Sequence, residues 1–89
     1  MAQTKHLTLT GGVVATVGLE TNGARIEVLN RGADDVWFTT DKTTPVADGD
    51  DVHICPGNSA VEVSDETSGE NSTVKLLCAT TQKVSVRAA

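Results

Sequence analysis

Four side chains in this sequence are of the kinds that do acid–base or nucleophilic chemistry near neutral pH: His6, His53, Cys55 and Cys78. A serine or cysteine nucleophile needs a base within hydrogen-bond reach, and serine hydrolases also present the hydroxyl on a strained, glycine-flanked turn. No such turn motif occurs here. Cys55 lies two residues after His53, a spacing that on an extended strand puts both on one face without enclosing either. The pair reads as structural, and no catalytic residue is expected. Neither cysteine belongs to a Cys-x-x-Cys pair, and no histidine stands at zinc-ligand spacing from them. In a reducing compartment two such thiols are expected to be small buried apolar groups and not a disulfide.

Asp41, Asp48, Asp50 and Asp51 could offer hard oxygens to calcium. Their order lacks the alternating ligands, glycine and distal glutamate of an EF-hand loop, so they read as a solvated acidic loop, with no metal and no cofactor expected. Gly11-Gly12 opens no helical pattern, which removes the phosphate-binding reading of a glycine pair. Seven basic residues against twelve acidic ones give a net charge of −5, and the basic residues are scattered. Nucleic-acid binding needs clustered positive charge, so no nucleic-acid partner is expected. No apolar run reaches the ~18–20 residues that span a bilayer, and residues 1–10 lack the apolar stretch of a signal peptide. The expectation is a protein made in a cytoplasm, with no membrane partner. Asn71-Ser72-Thr73 then reads as a polar turn and not a glycosylation acceptor.

The elements that must position these residues are strands. A chain of 89 residues is one small domain, and folding removes only roughly 60–65% of its surface from water. Twelve valines, thirteen threonines and two isoleucines dominate the composition, and their stiff χ1 angles favour extended backbone. Apolar residues alternate with polar ones from end to end: Leu7 and Leu9; Val13 to Leu19; Ala24, Ile26 and Val28; Val36 to Thr40; Val52 and Ile54 about His53; Val61 and Val63; Val74, Leu76 and Cys78; Val84 and Val86. Turn residues separate them, including Thr21-Asn22-Gly23, Pro56-Gly57-Asn58 and the polar run from Asp65 to Asn71. The pattern predicts an all-β fold, a small antiparallel β-sandwich or barrel of about eight short strands. Residues 11–89 form the sandwich domain, and residues 1–10 are an N-terminal arm or its first strand.

Trp37 and Phe38 are adjacent, so on a strand only one of them can face the core. The other is a candidate interface anchor, because exposed aromatics carry much of the energy of protein contacts. Leu7 and Leu9 are the only apolar anchorage of the first ten residues. An arm there would gain too little burial to offset its ordering cost and would dock on a neighbour's sheet edge. The candidate partner interface is accordingly Lys5, His6, Leu7, Leu9, Trp37 and Phe38.

Two stretches carry a resemblance: IEVLNRGADDVWFTTDKTTPVADGDDVHICPGNSAVEV and TVKLLCATTQKVSVR. A "VEVLN"-like strand, an aromatic strand before Thr-x-Asp, a Thr-Pro turn and a closing "KVSV" make the chain similar to small virion proteins of actinobacterial tailed phages. The resemblance covers most of residues 24–87. Cys55 and Cys78 depart from it, standing where ordinary apolar residues are expected. It implies a non-enzymatic virion structural protein, a capsid decoration protein that binds the major capsid protein on the outside of the assembled head. Capsid symmetry points to self-association as a homotrimer. The alternatives are a small tail or head–tail connector component, or a carbohydrate- or receptor-binding β-sandwich that uses Trp37 as a stacking platform.

Overall fold

The computed structural model describes residues 3–19, 25–50, 52–66 and 72–88. They form eight strands: β1 (Gln3–Leu9), β2 (Ala15–Gly18), β3 (Arg25–Asn30), β4 (Val36–Thr39), β5 (His53–Cys55), β6 (Ala60–Ser64), β7 (Thr73–Cys78) and β8 (Gln82–Ala88). Each lies where alternation predicts one. The all-β expectation holds, and the architecture is a sandwich of two four-stranded sheets. Sheet A runs β1-β8-β3-β6 and sheet B runs β2-β7-β4-β5. Every pairing is antiparallel. Consecutive strands pair only at β4–β5, and elsewhere the chain crosses from one sheet to the other. This interleaving is that of a jelly roll, built from two Greek keys.

Burial follows the two-residue period strand by strand. In β3, Ile26, Val28 and Asn30 are buried while Arg25 and Leu29 are exposed. In β7, Val74, Leu76 and Cys78 are fully buried against half-buried Thr73, Lys75 and Leu77. The core joins Leu9, Ile26, Val28, Val84, Val86 and Ala88 of sheet A to Val17, Val36, Phe38, Cys55, Val74, Leu76 and Cys78 of sheet B. Phe38 is its one aromatic residue. Residues 3–9 are a strand of the sandwich, paired with β8 from Gln3↔Ala88 to Leu9↔Gln82. The turn at residues 21–23, most of the polar run at 67–71, and Asp51 lie outside the described residues.

One end of the sandwich is knitted shut by polar contacts. Asn30 uses all its hydrogen-bonding groups. Its Nδ2 donates to the carbonyls of Asp34 (2.6 Å) and Cys55 (3.1 Å), and its Oδ1 accepts from Gly32 N–H (3.0 Å) and Gln82 Nε2 (2.7 Å). Gln82 in turn donates to Asp34 O and accepts from Asp34 N–H. Asn58 N–H donates to Gly32 O (2.8 Å), and Thr80 Oγ1 donates to Asp34 Oδ2 (2.6 Å). The backbones approach so closely that a Cβ on Gly57 would lie 2.1 Å from the Ala33 carbonyl oxygen.

Cys55 and Cys78 are both buried free thiols. They are the register partners of Val36 on its two sides, so β4 separates them by two strand spacings, roughly 9–10 Å. A disulfide tolerates about 7 Å between Cα atoms at most. Cys55 Sγ lies 3.4 Å from Val28 O and 3.2 Å from Ser59 O as a donor. Burial pushes its thiol above the ordinary cysteine range, which makes it inert.

Two outcomes follow. Replacing Asn30 by Ala removes the side-chain acceptor of the Gly32 N–H, the donor to the Cys55 carbonyl, and one partner each of Gln82 and the Asp34 carbonyl, and should lower the unfolding free energy by about 2–4 kcal/mol in chemical denaturation; a loss below about 0.5 kcal/mol, within the range of an ordinary surface change, would mean the network does not hold this end. Both thiols should react with an aromatic disulfide reagent only at the rate of unfolding, and reductant should leave the intact mass unchanged. Fast labelling of the native chain, or a two-dalton mass increase on reduction (two hydrogens gained per disulfide), would contradict the buried-thiol geometry.

Candidate interaction surface

Parity in β4 decides which aromatic residue is available to a partner. Val36 and Phe38 point inward and are fully buried, and Trp37 points to the outer face of sheet B, where it is half-buried. The registers Trp37↔Ile54 and Trp37↔Leu77 line these three residues up across β5, β4 and β7. Ala15↔Leu76 sets half-buried Val14, just before β2, beside Leu77. An apolar row, Ile54–Trp37–Leu77–Val14, therefore crosses the whole outer face, about 14–15 Å wide at ordinary strand spacing. Ile54 is 46% exposed, and neighbouring Val13 is 55% exposed. The indole N–H of Trp37 is buried without a hydrogen-bond partner, a state that costs on the order of 1–3 kcal/mol for a polar group.

Sheet A presents a different outer face. The registers align Thr4, Arg87, Glu27 and Glu62 in one cross-strand row. Arg25 Nε forms an ion pair with Glu62, which relieves the directly opposed Glu27 and Glu62 carboxylates. In the next row His6 Nδ1 and Ser85 Oγ are hydrogen-bonded at 2.7 Å, tying β1 to β8. Ser85 is buried in the middle of an extended strand, without the exposed turn a serine nucleophile uses. Leu29, 42% exposed, is the large apolar residue on that face. This is a wet surface, and sheet B carries the unusual one.

The six residues expected at an interface are thus divided. Phe38 and Leu9 are core side chains with no exposed surface, and Leu7 packs against the core; their positions on the inward parity of β4 and β1 remove them from any monomer surface. Lys5 and His6 are exposed on β1, in sheet A, on a different sheet from Trp37. Only Trp37 sits in the apolar row. Its companions Ile54, Leu77 and Val14 were not singled out by residue type. Leu77 was legible, standing opposite Val74, Leu76 and Cys78 in the alternation. Ile54 was not: taken alone, Val52 and Ile54 flanking His53 suggest that isoleucine faces in. The register sets Cys55 against Val36 and His53 against Phe38, so His53 and Cys55 face the interior and Ile54 faces out.

His53 packs its ring on Phe38, with centroids 5.2 Å apart. It also lines a cleft of about 580 Å³ at the end of the sandwich away from the Asn30 network, with Asp41, Thr43, Asp50 and Glu66. Thr43 donates to Asp41 Oδ1 from its hydroxyl (2.6 Å) and its backbone N–H (3.1 Å), which holds the Asp41 carboxyl below the usual carboxylate range. Among the described residues, no three His, Cys, Asp or Glu side chains converge as a metal site. Asp48 and Asp50 are exposed loop residues.

No protein-family model matches the chain, and no match emerges from curated proteins or from solved structures.

Proposed function

We propose that the chain is a non-enzymatic structural protein of a phage particle, a capsid decoration protein that sits on the outside of the assembled head against the major capsid protein. The observation that carries the reading is the apolar row Ile54–Trp37–Leu77–Val14 on the outer face of a sandwich whose interior is already filled. A small domain exposes such a row where another protein covers it. The reading also rests on the sequence resemblance over residues 24–87. The jelly-roll order is used by viral shell domains, a likeness of fold that raises the expectation without assigning a role.

The mechanism is linkage. A domain that binds the assembled shell and not its dissociated subunits stabilises the shell by mass action. Many weak contacts clustered on one particle add through effective concentration. Lectins also use jelly rolls, but sugar recognition needs converging Asp, Asn or Gln beside the stacking ring. Here the cross-strand neighbours of Trp37 are Ile54 and Leu77, which favours a protein contact. A tail or connector position would use the same surface, so location on the particle is what the experiment must read.

Electron cryomicroscopy of the virions whose genome encodes this chain should reveal density matching the sandwich, about 31 × 23 × 18 Å, on the outer surface of the head. Particles lacking the protein should release their genome at lower temperature and regain stability when the purified chain is added back. Density confined to the tail, or virions that lack the chain altogether, would refute the decoration reading.

A further inference from the structure

We propose that the outer face of sheet B pairs with the same face of a second copy, about a two-fold axis that runs along the apolar row. The inference rests on reading that row as a protein-contact surface; it gives the row to a second copy and leaves the remaining faces of the pair for the particle.

Charge on either side of the row is what selects a second copy. Lys75, paired with Thr39, lies on one side of the row, one step along the strands from Trp37 and Leu77. Asp35, two residues before Trp37 on the same parity and exposed, lies on the other side. The salt bridge found among the described residues joins Arg25 and Glu62 on sheet A, and involves neither of them. A two-fold axis along the row maps Ile54, Trp37, Leu77 and Val14 onto their own row and exchanges its two sides. Asp35 of each copy then faces the side of the other that carries Lys75, across the ~10 Å between packed sheets and one strand over, roughly 5 Å, a span the two side chains can bridge. A two-fold axis along the strands would instead set each charged side against its own kind. For Asp35 and Lys75 the face is self-complementary about one axis and self-repelling about the other.

The first axis also lays the two sheets with their strands aligned, the common geometry of packed sheets. It gives an apolar centre with a charged rim, as in ordinary protein interfaces. The sandwich measures 31 × 23 × 18 Å, so its broadest face projects at most about 700 Å², below the ~800 Å² per partner of a standard interface, and the pair is a weak one. Such a pair forms and separates with concentration. A cyclic trimer cannot use the row in this way, because a three-fold contact joins two different patches.

Sedimentation velocity and light scattering on the full chain, from micromolar to millimolar concentration, test the proposal. The mass should rise from 9.2 kDa to twice that value. Leu77→Glu and Ile54→Lys, both at partly exposed positions, should hold the chain monomeric with its circular dichroism unchanged. Asp35→Lys or Lys75→Asp alone should weaken pairing about tenfold, and the two together should restore it. A chain that stays monomeric, a trimer, or a dimer indifferent to these changes would overturn the proposal, as would a double swap no better than the singles. The decoration reading fails separately. A dimer that binds no virion upholds the pair and removes the particle, whereas a monomer that binds virions through the row removes the pair alone.

Discussion

The orientation of β4 is the constraint on which both the core and the surface depend. Side chains alternate with a period of two, so a one-residue slip of this strand would send Trp37 inward and Phe38 out. A slip would also turn Val36 out of the core. The strand is fixed from its leading end. Residues 31–35, which deliver the chain into β4, hang on Asn30 and Gln82 through the Asp34 backbone and the Gly32 N–H, and on the Thr80 hydroxyl through the Asp34 carboxylate. The two hubs of this network, Asn30 and Gln82, are buried with their polar groups bonded, and such networks specify one geometry because any alternative strands several donors at once. Asn30 also reaches the Cys55 carbonyl on β5, so one side chain of sheet A sets the edge of sheet B.

That link matters because the topology offers few local supports. Only β4 and β5 pair as sequence neighbours, and a connection of thirteen residues separates them. Every other pairing joins strands distant in the chain, so loop closure costs entropy before any contact returns it. An 89-residue sandwich with one aromatic core residue has little apolar burial to set against that cost. The Asn30–Gln82 cluster and the close backbone approach at Gly57 compensate through hydrogen bonding and shape where hydrophobic volume is short. At the other end, bounded by the connection from residue 40 to residue 52, Thr39 Oγ1 donates to the Thr43 carbonyl, Thr43 folds onto Asp41, and Thr40 Oγ1 donates to the Ser64 carbonyl at the end of β6 (3.1 Å).

All eight strands could be read from the sequence, because alternation of Val, Ile and Leu with polar residues reports local backbone geometry directly. The pairing order could not. Nothing in the composition of β1 says that it borders β8, since a strand's inward residues are equally apolar whichever neighbour it takes. The same gap limited the site. The sequence required that one of Trp37 and Phe38 face outward, but the choice depends on which of them shares a face with Val36, and so on the register against Cys55 and Cys78. Ile54 shows the failure most clearly: its local pattern favours burial, and only pairing with Trp37 reveals it as outward. From sequence Leu9 reads as available, because Leu7 and Leu9 are the sole large apolar anchorage between Ala2 and Thr10. In the fold, seven consecutive pairs with β8 anchor them.

The two outer faces then divide the work of a small domain. Sheet A spends its exposed positions on alternating charge, with Arg25 and Arg87 interleaved among Glu27 and Glu62. Such a surface keeps an acidic chain soluble and discourages indiscriminate stacking. Sheet B keeps hydrocarbon at its centre and leaves the Trp37 N–H without an acceptor, a cost that the isolated monomer does not recover. Moving Trp37 to the apolar core would leave its N–H equally short of an acceptor and would displace Phe38, the residue on which His53 packs and around which the two sheets close. The fold therefore retains the exposed row as the consequence of a correctly filled interior. A contact that covers the row adds burial the chain cannot reach alone, and the same strand that anchors the core supplies the centre of that contact.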